Sequence, residues 1–509
     1  MTGAISWKSE FLSLSRRFAR RVAVVDRDGS ITYGDLFAHA AGIGAAVRAS
    51  GAAAGEPVGT FLPNGRGAVA ACLGVTLAGV ADARLNVALS TGDLAHCMET
   101  AGVRTVVTNA ELAPAVTRLG ARVIEIEYVA LADLARCDFP DVAGDSWACL
   151  IFTSGTTGRP KAIVHSQAGR WTANVLLRSA LPHAPGAGDN LLLVTPFSHG
   201  AALMTHAYLD GGATLTLLPG VDAERVLELI ERREVNQVFA PPTVLAKLLA
   251  SVGDRHYPGL ETIFTGTSPL SAELYRRAKR AFGPIIRVTY GKSEVWNPIT
   301  VLAPAETDAW YGESGEPQST CVGWPAAGVE LAIVPVEAEQ GEPEARGVGV
   351  VQIRAQHMAI GHVANGRFVA DPPGAFHDTG DLGFIDDVGR LHLSGRLADV
   401  IKSGGYRLLP EEIEAPLREA IAPAEIAIIS LPSNYWGEIV TAVVVGAEPL
   451  ALADAISRLT SYKRPRLVVA LEEIPRNSIG KVERRRAREL VLARYALEDG
   501  PYPLLVPRS

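Results

Sequence analysis

The stretch "ACLIFTSGTTGRPK", residues 148–161, sets a short apolar run directly against a loop of glycines, hydroxyls and cations. The run "ACLIF" has the length and texture of a buried strand. In the loop, Gly155 and Gly158 permit positive φ and let backbone N–H groups come close to an anion. Thr153, Ser154, Thr156 and Thr157 add hydroxyl donors, and Lys161 adds a point charge suited to a phosphate. The pattern is not a Walker A loop, which needs G-K-[ST]; Pro160 precedes the lysine and Ala162 follows it. A Gly/Thr-rich turn between two strands is the competing reading, and the loop by itself leaves both open.

Outward from this stretch, β-type apolar runs alternate with Ala/Leu-rich helical segments. "RVAVVD" (21–26), "EPVGTFL" (56–62), "RTVVTN" (104–109), "LLLVTP" (191–196), "QVFAPP" (237–242) and "LETIFTG" (260–266) read as strands. Segments such as "AHAAGIGAAVRAS" and "DAERVLELIERRE" carry apolar residues at helical spacing. Such alternation predicts an α/β fold with parallel sheets covered by helices. Past residue 310 the texture changes to Gly- and Pro-punctuated short strands, which suggests an all-β portion. A second change near 395–399 introduces a compact α+β pattern: helix 411–421, strands near 425–431 and 439–445, helix 451–461 and strand 466–471.

The chain has 509 residues, too many for one compact core, so at least two domains are expected. No run of about 18 uninterrupted apolar residues suggests a membrane span. The N-terminus lacks the basic-then-apolar order of a secretory signal, so a cytoplasmic location is expected. A net charge of −7 argues against nucleic acid as the main partner. The basic run "KVERRRARELVLAR" reads as the solvated face of a helix. Five cysteines without CxxC pairing read as reduced, mostly buried thiols, and no cluster has zinc-ligand spacing. Only eight lysines stand against forty arginines, which makes each lysine conspicuous. The closing "LVPRS" resembles the start of a thrombin cleavage site and is set aside from function.

Three further stretches carry possible chemistry. In "VTYGKSEVWNP", Tyr290 and Gly291 offer an aromatic face beside a tight turn, and Glu294 a carboxylate for a phosphate-bridging Mg²⁺. In "FHDTGDLG…GRLADVIKSGGYR", Asp381 is placed to accept from ribose hydroxyls, and Arg396 to lie across the same sugar or reach a phosphate. In "IPRNSIGKVERRR", Lys481 sits on a Gly-preceded loop tip ahead of a helix. Taken one at a time, each also reads as an ordinary surface turn, an acidic hairpin or a solvated lysine.

Together they resemble the signatures of the adenylate-forming enzymes: acyl-CoA synthetases, aryl-acid ligases, luciferases and peptide-synthetase adenylation domains. The chain presents "FTSGTTGRPK", "YGKSE", "TGDLG…GRLADVIKSGGYRLLPEEIE" and "PRNSIGK" in the family's order, with "ITYGDL" (31–36) and "RLN" (84–86) as earlier landmarks. The similarity extends over roughly residues 20 to 490 and is closest to bacterial acyl-CoA synthetases. It implies a large domain over 1–395, made of two β-sheets with flanking helices and a β-barrel-like portion. A hinge at 396–399 and a small α+β lid over 400–509 complete the implied architecture.

The same resemblance implies ATP and Mg²⁺ as cofactors and coenzyme A as co-substrate. It assigns Thr153, Ser154, Gly155, Thr156, Thr157, Gly158 and Lys161 to the ATP phosphates. Gly266, Thr267, Ser268, Tyr290, Gly291, Ser293, Asp381 and Arg396 fall to adenosine, with Tyr290 stacking on adenine. Glu294 is the metal ligand, Lys481 bridges carboxylate and α-phosphate, and His199 lines the carboxylate end of the acid pocket. Gly200, Ala201, Val295 and Trp296 form the pocket walls, Ser403, Gly404, Gly405 and Tyr406 the coenzyme A tunnel, and Ala398 the hinge.

Three positions depart from the family pattern: Ala398, where Asp or Lys is usual, Ser293 for Thr, and Val350 for an acidic residue. No Asp lies between Pro196 and Leu203 to pair with a substrate ammonium, which disfavours an amino acid. The small and apolar wall residues suggest a roomy pocket for a bulky aliphatic, polycyclic or aryl acid. A dicarboxylate would call for a pocket arginine, which the sequence does not reveal. The alternative acceptor to coenzyme A is an acyl carrier protein, and the oligomeric state is not legible.

Overall fold

The computed structural model describes residues 3–153, 161–312, 319–336, 347–364, 366–422, 424–477 and 480–508, and within them not the side chains of residues 200, 201 and 407. Five of the seven positions assigned to phosphate, Ser154, Gly155, Thr156, Thr157 and Gly158, lie outside the described residues. The pocket candidates Gly200 and Ala201 are placed only as backbone.

Among the described residues, two large sheets form the body of the chain. The smaller holds Pro57–Phe61, Ala81–Arg84, Thr105–Thr108, Arg122–Glu125 and Trp147–Thr153 in parallel pairing, then Lys161–Ser166 antiparallel against Trp147–Thr153. The larger has Val22–Asp26, Thr214–Leu217, Asn190–Leu193, Gln237–Phe239, Thr262–Thr265 and Ile286–Lys292 in parallel order. Antiparallel strands then extend it from Val295–Leu302 to Val329–Pro335. The alternating strand and helix pattern therefore folds as expected. The all-β portion joins the larger sheet as its antiparallel end, and no pairing among the described residues closes it into a barrel.

Local chemistry explains the helix boundaries. Thr32, Ser90, Ser166, Asp222 and Ser271 each accept a backbone N–H three residues on, satisfying a donor that the first turn leaves orphaned. The helices Tyr33–Ala49 and Arg66–Ala78 lie between the two sheets and approach closely at glycines. A Cβ on Gly74 would stand 2.8 Å from the Ala40 carbonyl oxygen, so the spacing admits no larger residue. One hydrophobic cluster fills this space, joining Val58 and Val107 of the smaller sheet to Leu191, Leu193 and Leu215 of the larger.

Beyond Arg396, a one-turn helix, Leu397–Asp399, leads to a separate sheet of Ile401–Ser403, Tyr406–Leu408, Glu425–Ser433, Gly437–Val445 and Leu467–Ala470. Its two faces carry their own clusters, all drawn from residues 401–505, whereas the clusters of the preceding body end by residue 393. The helices Pro410–Ile421 and Pro449–Arg458 fall where the sequence places them. Leu504–Pro507, which includes most of "LVPRS", pairs antiparallel with Tyr495–Glu498. One expectation needs correction. The basic run is not only a solvated face, because Arg484 is sunk in ion pairs with Glu411 (3.0 Å) and Glu414 (2.8 Å).

All five cysteines are free, four of them buried, as a reduced-thiol reading expects. Among the described residues, no helix is long and apolar enough to cross a membrane.

Candidate active site

The carboxyl ends of the parallel strands of the larger sheet converge on one crevice, the place where open α/β sheets bind ligands. Asn190–Leu193 runs on to the turn Phe197–Ala201, Thr262–Thr265 to Gly266, Thr267 and Ser268, and Ile286–Lys292 to Ser293 and Glu294. A Cβ on Gly266 would lie 2.4 Å from the Thr289 carbonyl oxygen. Thr267 has φ of 69°, a left-handed conformation strained for a β-branched residue and concentrated at functional sites. On the neighbouring sheet, Thr153 and Lys161 are register partners on adjacent antiparallel strands.

The ribose candidates meet through one carboxylate. Asp381 and Arg396 face each other across adjacent strands, with Arg396 Nε 3.0 Å from Asp381 Oδ1. Lys292 Nζ lies 3.3 Å from Asp381 Oδ2, and the Tyr290 hydroxyl donates to the same oxygen. Burial, reinforced by Asp381, pushes the Tyr290 hydroxyl well above its ordinary pKa and keeps it a neutral donor. The Tyr290 side chain is packed in the hydrophobic cluster of the larger sheet. Lys292, which also donates to the Thr379 carbonyl, was not singled out from sequence. Its one signal was the scarcity of lysine.

Lys481 arrives from the C-terminal sheet's side of the chain. Its N–H donates to Asn477 Oδ1 (2.9 Å), while Asn477 N–H donates to the Lys481 carbonyl (2.9 Å). Gly480, at φ +81°, turns the chain between them and abuts Thr243 at the start of the helix Pro242–Val252. Burial pushes the Lys481 ammonium down to about 8; Arg396 and Lys292 push the same way, while Asp381 and Glu294 pull it back up. The loop is therefore seated among the very groups that the resemblance assigns to nucleotide and metal. The Glu294 carboxylate lies close enough to Lys481 and His377 to act on both electrostatically, and a carboxylate at this position fits a Mg²⁺ ligand.

His199 occupies a break in its turn, with φ −119° and ψ −135°. Its Nε2 lies 3.5 Å from Asn86 Nδ2, and burial followed by Arg84 lowers its pKa, leaving the ring neutral. Asn64, a residue that sequence reasoning missed, positions this turn by donating to the Thr195 and Leu218 carbonyls and accepting from Phe197 N–H.

Both described wall candidates are buried. Val295 is wholly buried in the core of the larger sheet, and Trp296 packs edge-on to His165 beneath the guanidinium of Arg84. The small cavity beside Trp296 is lined by Arg170, Asn174, His206 and Asn297 with Trp7, Ala173 and Leu203.

The remaining candidates sit in the C-terminal unit. Gly404 (φ +58°) and Gly405 (φ +85°) form the two-residue turn joining Ile401–Ser403 to Tyr406–Leu408, and such a turn demands positive φ at both positions. The hairpin by itself accounts for both glycines. Ser403 is buried, Tyr406 stacks on Tyr462 with ring centroids 4.4 Å apart, and Ala398 is exposed on the one-turn helix.

These features define an adenylate-forming enzyme, and the comparisons agree: residues 13–363 match the AMP-binding enzyme family. The chain belongs to that family and is of the acyl-CoA synthetase type. It is 28% identical over 478 residues to a 2-succinylbenzoate–CoA ligase of Bacillus licheniformis, covering 92% of this chain and 96% of that one. It is 30% identical over 372 residues to an indoleacetate–CoA ligase of Aromatoleum aromaticum, covering 71% of this chain and 70% of that one. In fold it resembles the o-succinylbenzoate CoA synthetase of Bacillus subtilis in complex with its acyl-adenylate, with a TM-score of 0.80 at 24% identity, covering 96% of this chain and 98% of that one. That enzyme has also been solved with ATP and magnesium ion.

Proposed function

We propose that the protein is an ATP-dependent carboxylic acid:CoA ligase that works through an acyl-AMP, and that its acid is aryl. The observation that carries this reading is the seating of Lys481 among Asp381, Arg396, Lys292 and Glu294. A carboxylate and an α-phosphate at 4 Å repel by about 4 kcal/mol at an effective dielectric near 20. A lysine delivered between them, with Arg396 and Lys292 nearby, offsets that cost where the reacting charges meet.

In the first step a carboxylate oxygen attacks the α-phosphorus and pyrophosphate leaves. Thr153, Lys161 and the residues between them hold the departing phosphates. Asp381, fixed by Tyr290, Lys292 and Arg396, accepts from the ribose hydroxyls. His199, kept neutral by burial and Arg84, lines the carboxylate end of the acid site. Magnesium, held by Glu294, supplies charge neutralisation on the phosphates. In the second step the thiol of coenzyme A attacks the acyl carbon and AMP leaves. Residues 400–509 act as a lid: rotation about 396–399 withdraws Lys481 and brings the Gly404–Gly405 turn to the site, keeping the adenylate from water until the thiol arrives. The preference for an aryl acid rests on the relatives whose names carry aryl acids, the 2-succinylbenzoate and indoleacetate ligases.

The test is ATP–pyrophosphate exchange over aliphatic, aryl and polycyclic acids, with thioester detected by mass spectrometry when coenzyme A is present. Exchange and a CoA-dependent thioester with aryl acids are expected. Exchange with no thioester would transfer the acceptor role to a carrier protein. Exchange confined to aliphatic acids would refute the aryl assignment.

A further inference from the structure

The His199 ring has a partner whose own geometry decides where the ring's proton sits. That partner is Asn86, only 7% exposed, two residues beyond the strand Ala81–Arg84 of the smaller sheet. The Ala88 backbone N–H donates to Asn86 Oδ1 at 2.9 Å. A backbone N–H can only donate, so the amide oxygen must face Ala88 and the amide NH₂ must face away from it. On that other side stands His199 Nε2, 3.5 Å from Asn86 Nδ2. Turning the amide over would set N–H against N–H at Ala88, where the contact is the shorter of the two.

An amide nitrogen has no lone pair to offer, so Nε2 of His199 is the acceptor. A neutral imidazole with its lone pair on Nε2 carries its proton on Nδ1. Protonating Nε2 as well would point one N–H at another. The surroundings oppose the charged ring in the same sense: burial disfavours it first, and the guanidinium of Arg84, itself paired with Asp82 at 3.0 Å, disfavours it further. Asn86 is the one hydrogen-bond partner of this ring among the described residues.

A carboxylate that attacks phosphorus needs its charge on the attacking oxygen. An imidazolium beside it would form an ion pair, tie up its lone pairs and compete with Lys481. A neutral N–H gives one hydrogen bond to one oxygen and leaves the other free to react. We infer that Asn86 is a positioning residue for adenylation: it holds the proton of His199 on Nδ1, so that the ring meets the acid's carboxylate with a single uncharged donor. This rests on the acid:CoA ligase reading above, in which His199 lines the carboxylate end of the acid site.

Asn86→Asp tests it with little change of shape. The new carboxylate still accepts from the Ala88 N–H, but it turns an acceptor toward Nε2 in place of a donor, so the proton should move to Nε2. The tautomers are told apart by ¹H–¹⁵N correlation spectra of ligand-free protein labelled in its histidines, with His199→Gln identifying the signal. In the wild type the proton-free nitrogen should be Nε2; in Asn86→Asp, Nε2 should carry a proton. Both proteins are then compared in pyrophosphate exchange with the acids of the panel above. Losing a hydrogen bond to a charged group should lower kcat/KM for the acid about ten- to hundredfold. A wild-type ring protonated on Nε2 would overturn the inference, whether or not the variant folds. A moved proton with unchanged exchange would overturn it, and lost exchange with the proton unmoved would make Asn86 merely structural and overturn it too. Exchange with none of the acids would instead refute the ligase reading, while the spectra still decide the tautomer.

Discussion

Gly480→Ala tests the seating of the Lys481 loop. A Cβ at this position would lie 2.8 Å from Thr243 Oγ1, 3.0 Å from Cγ2 and 3.2 Å from Cβ, while the backbone sits at φ +81°. The left-handed strain, roughly 1–2 kcal/mol for a residue with a Cβ, belongs to the loop itself and accompanies it when the C-terminal unit moves. The contact with Thr243 belongs only to the seated state, and overpacking of this kind costs typically about 1–3 kcal/mol. The fraction of molecules with Lys481 in place should fall by a factor of about 5 to 150. Pyrophosphate exchange should fall accordingly, while thioester formation from supplied acyl-AMP should stay within about twofold of wild type. Thr243→Ala, combined with Gly480→Ala, removes two of the three close atoms and should restore most of the exchange rate. A double-mutant cycle gives the coupling between the two sites. Equal loss in both half-reactions, or no rescue by Thr243→Ala, would show that the seating is irrelevant to the first step.

Lys481→Ala should abolish exchange and leave thioester formation from supplied acyl-AMP largely intact; equal damage to both, in a folded protein, contradicts the assigned role. Because the folded protein lowers the Lys481 pKa to about 8, its ammonium is lost as pH rises through that value. The kcat/KM for adenylation should then fall about tenfold per unit well above pH 8, and a flat profile to pH 10 would remove the requirement for the charged form. Glu411 runs the other way: burial raises its pKa to about 7, so it favours the folded state least once pH exceeds that value. Glu411→Gln, which can still accept from Arg484, should therefore raise Tm more at pH 8 than at pH 5, and an equal shift at both would argue against a titrating carboxyl.

Much of this protein is legible in its sequence for local reasons. Strand and helix alternation follows from apolar periodicity, and the helix starts at Thr32, Ser90 and Ser271 follow from side chains that cap backbone donors within three residues. Tyr290, Asp381, Arg396 and Lys481 were found because each sits in a short run whose turn chemistry is fixed locally, and the fold brings all four to one crevice. What the sequence withheld depends on neighbours distant along the chain. Lys292 gains meaning only because Asp381, far along the sequence, folds against it. Trp296 and Val295 read as pocket walls, and only tertiary packing shows that one lies under Arg84 and the other is buried in the core. The Gly404–Gly405 pair is required by its own hairpin, which a motif does not disclose. Arg170 shows the limit most clearly. On its helix it is one arginine among forty, and only tertiary packing strips it of water and sets it against Thr76, Cys72 and His206 in place of a carboxylate. Periodicity and capping act over a few residues and so are written in order along the chain; charge compensation and cavity shape are set by side chains that meet only when the sheets close on the helices between them.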